Sequence, residues 1–253
     1  MIWIELRKAI RSKMPLWTAL GSLFMPLGIA FLIFVARNPE ISHKLGLVSA
    51  KADLVAYSAT DWPTYMGLSG LMVAAGGFFL FILAISWVFG REFVDGTVKD
   101  ILAVPIGRSS IILAKFIVVT AWSAVLTLII LIVNLFMGAI IGLPGISLNV
   151  IFHGSLVLMI TASLVTLVVI PFALLASIGR GYLLPLGVGI LLMMITNVTA
   201  LAGWGEYFPW AIPGLFAQGK SALTAISFII VILTGLIGII ATYIWWKYAD
   251  QNR

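Results

Sequence analysis

The sequence predicts an all-α polytopic membrane protein with six transmembrane helices. Three observations carry this expectation. The chain of 253 residues is 62% hydrophobic and only 9% charged. Six apolar stretches reach the roughly 20 residues that a helix needs to cross a bilayer, at about 16–35, 65–89, 116–141, 150–178, 182–201 and 222–244, and none contains Asp, Glu, Lys or Arg. The charges collect between these stretches, where the backbone leaves lipid. The expected organisation is one transmembrane domain over 1–253.

Residues 1–14 read as a short amphipathic helix. Ile2, Leu6, Ala9 or Ile10, and Met14 share one face, while Glu5, Lys8, Arg11 and Ser12 lie elsewhere. Pro15 is expected to interrupt it before span one. Such a segment either lies at the cytosolic interface or is a basic flank that sets topology. The apolar run after it is longer than the roughly 7–15 residues of a signal-peptide core. No small-x-small cleavage pattern closes it before Arg37-Asn38-Pro39, so it is expected to stay as the first span.

The loop 36–62 carries three basic and three acidic residues. Its His43 has no second His nearby and reads as solvated. After span two comes the densest charge in the chain: Arg91, Glu92, Asp95, Lys99, Asp100 and Arg108 within 18 residues. Val94, Val98, Ile101 and Leu102 recur there at helical spacing, with Glu92, Asp95 and Lys99 on the opposite side. Asp95 and Lys99 are spaced to pair at i,i+4. Gly96 weakens this helix by about 1 kcal/mol relative to Ala, which suits a bend, and Pro105 ends it. Ser109 or Ser110 is expected to cap the next helix, and Lys115, one turn in, to snorkel to the head groups.

No charge occurs over 116–179. That length is too great for one span and fits two, joined by the turn Gly142-Leu143-Pro144-Gly145. Pro26, Pro171 and Pro185 fall inside spans and suit kinks; Gly76-Gly77 suits a bend or a close helix approach. The segment 202–220 is too broken by Gly and Pro to span, and its aromatics suit the interface. It reads as a short hairpin or interfacial helix dipping into the outer leaflet. Trp245, Trp246, Lys247 and Tyr248 read as an inner-face anchor for span six.

Six spans put both termini on one side. With the N-terminus inside, eleven Lys and Arg are cytosolic and four (Arg37, Lys44, Lys51 and Lys220) are outside, which favours N-in, C-in by the positive-inside rule. The net charge of +6 is thus topology, and no nucleic-acid partner is implied, because the basic residues are not gathered on one face. The absence of Cys excludes disulfides, thiol catalysis and Cys-based zinc sites. Ion-coupled carriers and intramembrane enzymes are disfavoured, since both need ionisable groups in the membrane. Asn134 and Asn197 are expected to bond neighbouring helices, and His153 to be interfacial. Gly214-Leu215-Phe216-Ala217-Gln218-Gly219-Lys220-Ser221 satisfies the P-loop consensus. Yet Pro213 precedes it and a membrane span follows, where a phosphate cradle needs a strand and a soluble helix. It is read as a coincidence, so the chain is expected to be no enzyme and to bind no cofactor of its own.

The pattern Glu92-x-x-Asp95-Gly96-Thr97-x-x-x-Ile101-Leu102-x-x-Pro105-x-x-Arg108, followed by Lys115, resembles the first cytosolic loop of ABC-2 type permeases. These are the six-span membrane subunits of ABC exporters, and the likeness is greatest to the small permeases associated with bacitracin and lantibiotic resistance. The resemblance implies a coupling helix after span two that docks on a separate ABC ATPase subunit, which binds the ATP. Glu92, Asp95, Gly96, Thr97, Leu102, Pro105 and Arg108 are its candidate interface residues; Asp95 stands where many relatives carry a different polar residue. The resemblance further implies a homodimer or a related permease as partner, the cell membrane as location, and export of a hydrophobic or amphipathic substrate or a peptide antibiotic. A loop that only fixes topology, in a non-transporting assembly or sensor subunit, is the alternative.

Overall fold

The computed structural model describes residues 1–37, 61–97, 107–219 and 223–248, and among these it is helical with no strand. A short helix α1 (Ile2–Arg11) precedes α2 (Met14–Arg37), which is span one. Span two runs from α3 (Trp62–Met72) through a π-helical turn (Val73–Gly77) into α4 (Phe78–Val94). Span three is α5 (Arg108–Ile141), and span four is α6 (Leu148–Val169) with α7 (Phe172–Ile178). Span five is α8 (Leu183–Leu201). A 3₁₀ turn (Gly205–Tyr207) and α9 (Ile212–Ala217) follow, then α10 (Ala225–Tyr248) as span six. Six of these segments are long and apolar enough to cross a membrane, matching the six apolar stretches.

The ends follow local chemistry, with some departures from expectation. Asp61 caps α3 by accepting the Thr64 N–H at 3.0 Å, and Ser147 caps α6 by accepting the Val150 N–H at 3.2 Å. The break before span one falls at Ser12 and Lys13. Pro15 sits in the first turn of α2, where its missing N–H costs nothing. Neither Ser109 nor Ser110 caps span three: its N-cap is Gly107, without a side-chain bond. The turn after span three lies where expected, with Gly142 and Gly145 at positive φ. Of the three span prolines, Pro171 divides α6 from α7. Pro26 lies within a continuous helix, and Pro185 occupies the first turn of α8.

The core is a long apolar cluster built by spans two, three and four, with Val231 and Trp246 of span six against it. Span one packs chiefly on span three, where Trp122 Nε1 donates to Thr18 Oγ1 at 3.1 Å. Asn134 behaves as expected. It is fully buried, its Oδ1 accepts from Ser69 Oγ at 2.8 Å, and its carbonyl accepts from Tyr65 OH at 3.0 Å. Asn197 does not: it donates to Met193 O of its own helix at 2.8 Å, because α8 has few neighbours within the chain. His153 is exposed near the start of α6. Gly76 and Gly77 lie in the π-turn, Gly76 close against Met25 of span one. The described part of the segment after span five, 202–219, folds onto the bundle, with Ile212, Pro213, Leu215 and Ala217 buried. The loop containing His43 lies outside the described residues.

Candidate functional site

Span two ends where the charge begins. Asp95 N–H donates to Arg91 O at 2.8 Å, Thr97 N–H donates to Glu92 O at 3.0 Å, and Gly96 between them has φ +69. This is a Schellman-type stop, and a residue without Cβ takes the left-handed position at least cost. The expected bend at Gly96 is thus the end of the helix. Leu102 and Pro105, with Lys99, lie outside the described residues, as does most of the apolar run expected after Val94. Asp95 pairs with Arg91 Nε at 2.8 Å, and the Arg91 guanidinium also lies 4.8 Å from the Trp87 ring. Asp95, Gly96 and Val94 are exposed, so the surface at the start of the loop is free for contact.

Glu92 departs from expectation. Helical spacing puts it on the polar side with Asp95, yet it is only 5% exposed. The reason is Lys115, whose Nζ lies 2.8 Å from Glu92 Oε1 and 3.3 Å from Glu5 Oε2. Lys115 also donates to Val88 O at 2.8 Å and has no exposed surface at all. It does not snorkel. Two carboxylates and a carbonyl within reach replace the water its ammonium would otherwise seek, as a buried charge requires. Lys8 Nζ completes the group at 2.9 Å from Glu5 Oε1 and 3.2 Å from Glu92 Oε1. An open cavity of about 340 Å³ elsewhere sits beside His153, whereas one of about 290 Å³ lies here, lined by Glu5, Lys8, Trp87, Arg91, Glu92 and Asp95 among others.

The charge group explains how α1 sits. Glu5 and Ala9 are its buried residues, while Ile2, Trp3, Ile4 and Ile10 are exposed. Glu5 and Ala9, with the half-buried Leu6 and Lys8, therefore turn toward the protein, and Ile2, Trp3, Ile4 and Ile10 turn outward, as suits a helix at the lipid interface. Burial tends to raise the pKa of Glu5, but the ammonium groups of Lys115 and Lys8 together outweigh it and hold the carboxyl below its ordinary value. Burial tends to lower that of Lys8, and Glu5 and Glu92 together lift it above the ordinary lysine value.

Arg108 lies at the start of span three. Its Nη1 donates to Trp246 O at 2.9 Å and Lys247 O at 3.0 Å. A cation on the last carbonyls of α10 satisfies orphan acceptors and complements the helix dipole. Trp246 is not a membrane anchor. It is fully buried, donates from Nε1 to Ser177 Oγ at 3.0 Å and packs edge-on against Phe93. Lys247 and Tyr248 keep the exposed place at that end. Glu92, Asp95, Gly96, Thr97 and Arg108 thus gather at the pole of the bundle that also holds α1 and the end of span six. The Glu5–Lys8 contribution was missed in the sequence because it joins residues about a hundred positions apart. A lysine one turn inside an apolar run was the signal that a carboxylate must face it.

The P-loop lookalike is not arranged as a phosphate cradle. Gly214, Leu215, Phe216 and Ala217 lie in α9 and pack on spans two and four; Lys220 and Ser221 lie outside the described residues.

A family model described as "ABC-2 family transporter protein" matches residues 1–197. The chain is also similar to the bacitracin transport permease protein BCRB of Bacillus licheniformis, at 28% identity over 168 residues, which cover 65% of this chain and 81% of that protein.

Proposed function

From the premise that the chain belongs to the ABC-2 transporter family, we propose that it exports a hydrophobic or amphipathic substrate, or a peptide antibiotic, using ATP hydrolysed on a separate subunit. The observation that carries this reading is the charged boundary after span two, at the same pole as α1 and the end of span six. Asp95, Gly96 and Thr97 begin the loop that meets the ATPase, and Leu102 and Pro105 continue it. Glu92 and Arg108 act from behind, by fixing the two ends of that loop to the bundle. The chain binds no ATP or other cofactor itself. The apolar stretches between the charged ends of the spans hold no Asp or Glu, which suits an apolar pathway, and the relative's name as a bacitracin transport permease supports a peptide antibiotic as cargo. The working unit is a homodimer or a pair with a related permease. Span five favours this, since only Pro185 and Gly189 are buried along it. Both termini face the cytoplasm at the cell membrane, as the excess of basic residues on that side supports.

The test is co-purification. A C-terminally tagged chain, gently solubilised from its host, is expected to bring down a soluble protein with a genuine P-loop, and Asp95→Arg is expected to weaken that recovery. Recovery of the chain alone across several mild detergents would overturn the reading and favour a stand-alone assembly or sensor protein.

A further inference from the structure

Three separate elements meet in the buried charge group. Glu5 and Lys8 come from α1, Glu92 and the Val88 carbonyl from the end of span two, and Lys115 from the start of span three. Lys115 and Glu92 each contact the other two elements at once, and Lys115 is the wholly buried one of the two. Its ammonium also lies 5.7 Å from the Phe89 ring. With Ile2, Trp3, Ile4 and Ile10 facing away from the protein, the inward hold on this helix is the ion group together with Ala9 and the half-buried Leu6, which pack on the apolar core. Glu92 has a second connection, since its carbonyl accepts the Thr97 N–H at the start of the loop. The same residue therefore holds the loop by its backbone and Lys115 by its side chain.

A buried ion network is a poor way to gain stability, since well-packed apolar residues often do as well. It is a good way to fix relative position, because each charge has only a few acceptable partners. We propose that Lys115 is a positioning residue that, with Glu5, Lys8 and Glu92, locks α1 and the adjoining ends of spans two and three into one body. Displacement of the loop after span two then carries α1 and span three with it. The push rests on the ATPase-docking reading above; the lock does not.

The chain has no cysteine, so spin labels can be placed cleanly at Arg11→Cys, at the exposed end of α1, and at Ser110→Cys, at the exposed start of span three. The distance between them is measured in the co-purified complex, with one labelled copy per complex, both nucleotide-free and trapped with ATP and vanadate. The native background is expected to give one narrow distance, the same in both states. Lys115→Met is expected to broaden it without nucleotide and to make it differ between states while ATP hydrolysis continues. A residue that only stabilises the fold would lower yield and hydrolysis together, and would leave the distance in surviving molecules independent of nucleotide. Should Lys115→Met fail to accumulate, the neutral pair Glu92→Gln with Lys115→Met takes its place under the same expectation. A native distance that moves by about 5 Å, one helical turn, between states overturns the lock, and so does a variant distribution as narrow as the native one. If no ATPase co-purifies, the docking reading falls. The nucleotide-free comparison then still decides the lock, broadening supporting it and a narrow variant distribution overturning it.

Discussion

Lys115 shows what the loss of a single charge costs when its buried partners stay. Replacing it by Met leaves two buried carboxylates, Glu5 and Glu92, with Lys8 alone to share between them. Breaking a buried pair from one side typically costs about 3–5 kcal/mol, so Lys115→Met is expected to lower the unfolding midpoint in detergent markedly. Adding Glu92→Gln removes one stranded carboxylate and is expected to restore part of the loss. A double variant no more stable than the single one would show that Glu5 alone carries the penalty. The lysine and the glutamate were both visible in the sequence as charges at a lipid boundary. Their pairing was not, because helical periodicity places Glu92 on the polar side of a helix without saying what that side faces. The same limit applies to Asn197. A polar residue in a span needs a partner, and here the carbonyl of Met193 one turn back suffices.

At the scale of elements, α1 depends on ionisation more than the spans do. Glu5 has its pKa lowered by folding, so its contribution is complete above its ordinary value and is lost as pH falls through the lowered one. Lys8 has its pKa raised, so its contribution is complete below the ordinary lysine value and is lost as pH rises through the raised one. A label at Arg11→Cys is therefore expected to keep constant mobility from about pH 5 to 10 and to loosen outside that window. A loosening centred between about pH 6 and 8 would contradict the assignment. Elsewhere, the contact between spans four and six relies on shape. A Cβ at Gly238 would lie 2.7 Å from Pro171 N and 2.8 Å from its Cα, and backbone atoms at a helix break cannot move aside as a side chain can. Gly238→Ala is expected to cost about 1–3 kcal/mol in the same thermal assay, whereas Gly28→Ala, with nothing within 4 Å of the new Cβ, is expected to be nearly neutral. Pro171 could be read from the sequence as a disturbance of its span. That a glycine of another span fills the gap could not.

For the whole molecule, the order of spans was legible because hydrocarbon thickness imposes a length and composition that no soluble helix must meet. The 116–179 run divides at Gly142 as its length requires, and the ends of spans two, three and six meet at one pole. What lies at each pole is a separate matter, since orientation follows from the distribution of Lys and Arg rather than from packing. The excess of basic residues beside α1, Arg91, Arg108 and Lys247 predicts that this pole faces the cytoplasm. Trp204, exposed between spans five and six, then faces out. In intact cells, a membrane-impermeant thiol reagent is expected to label Trp204→Cys directly, and Arg11→Cys only after permeabilisation. The absence of native Cys leaves no background from this chain. The reverse pattern would place the 95–108 loop outside, out of reach of any cytosolic ATPase, and would remove the physical basis for energy coupling there even though the family and the six spans would stand.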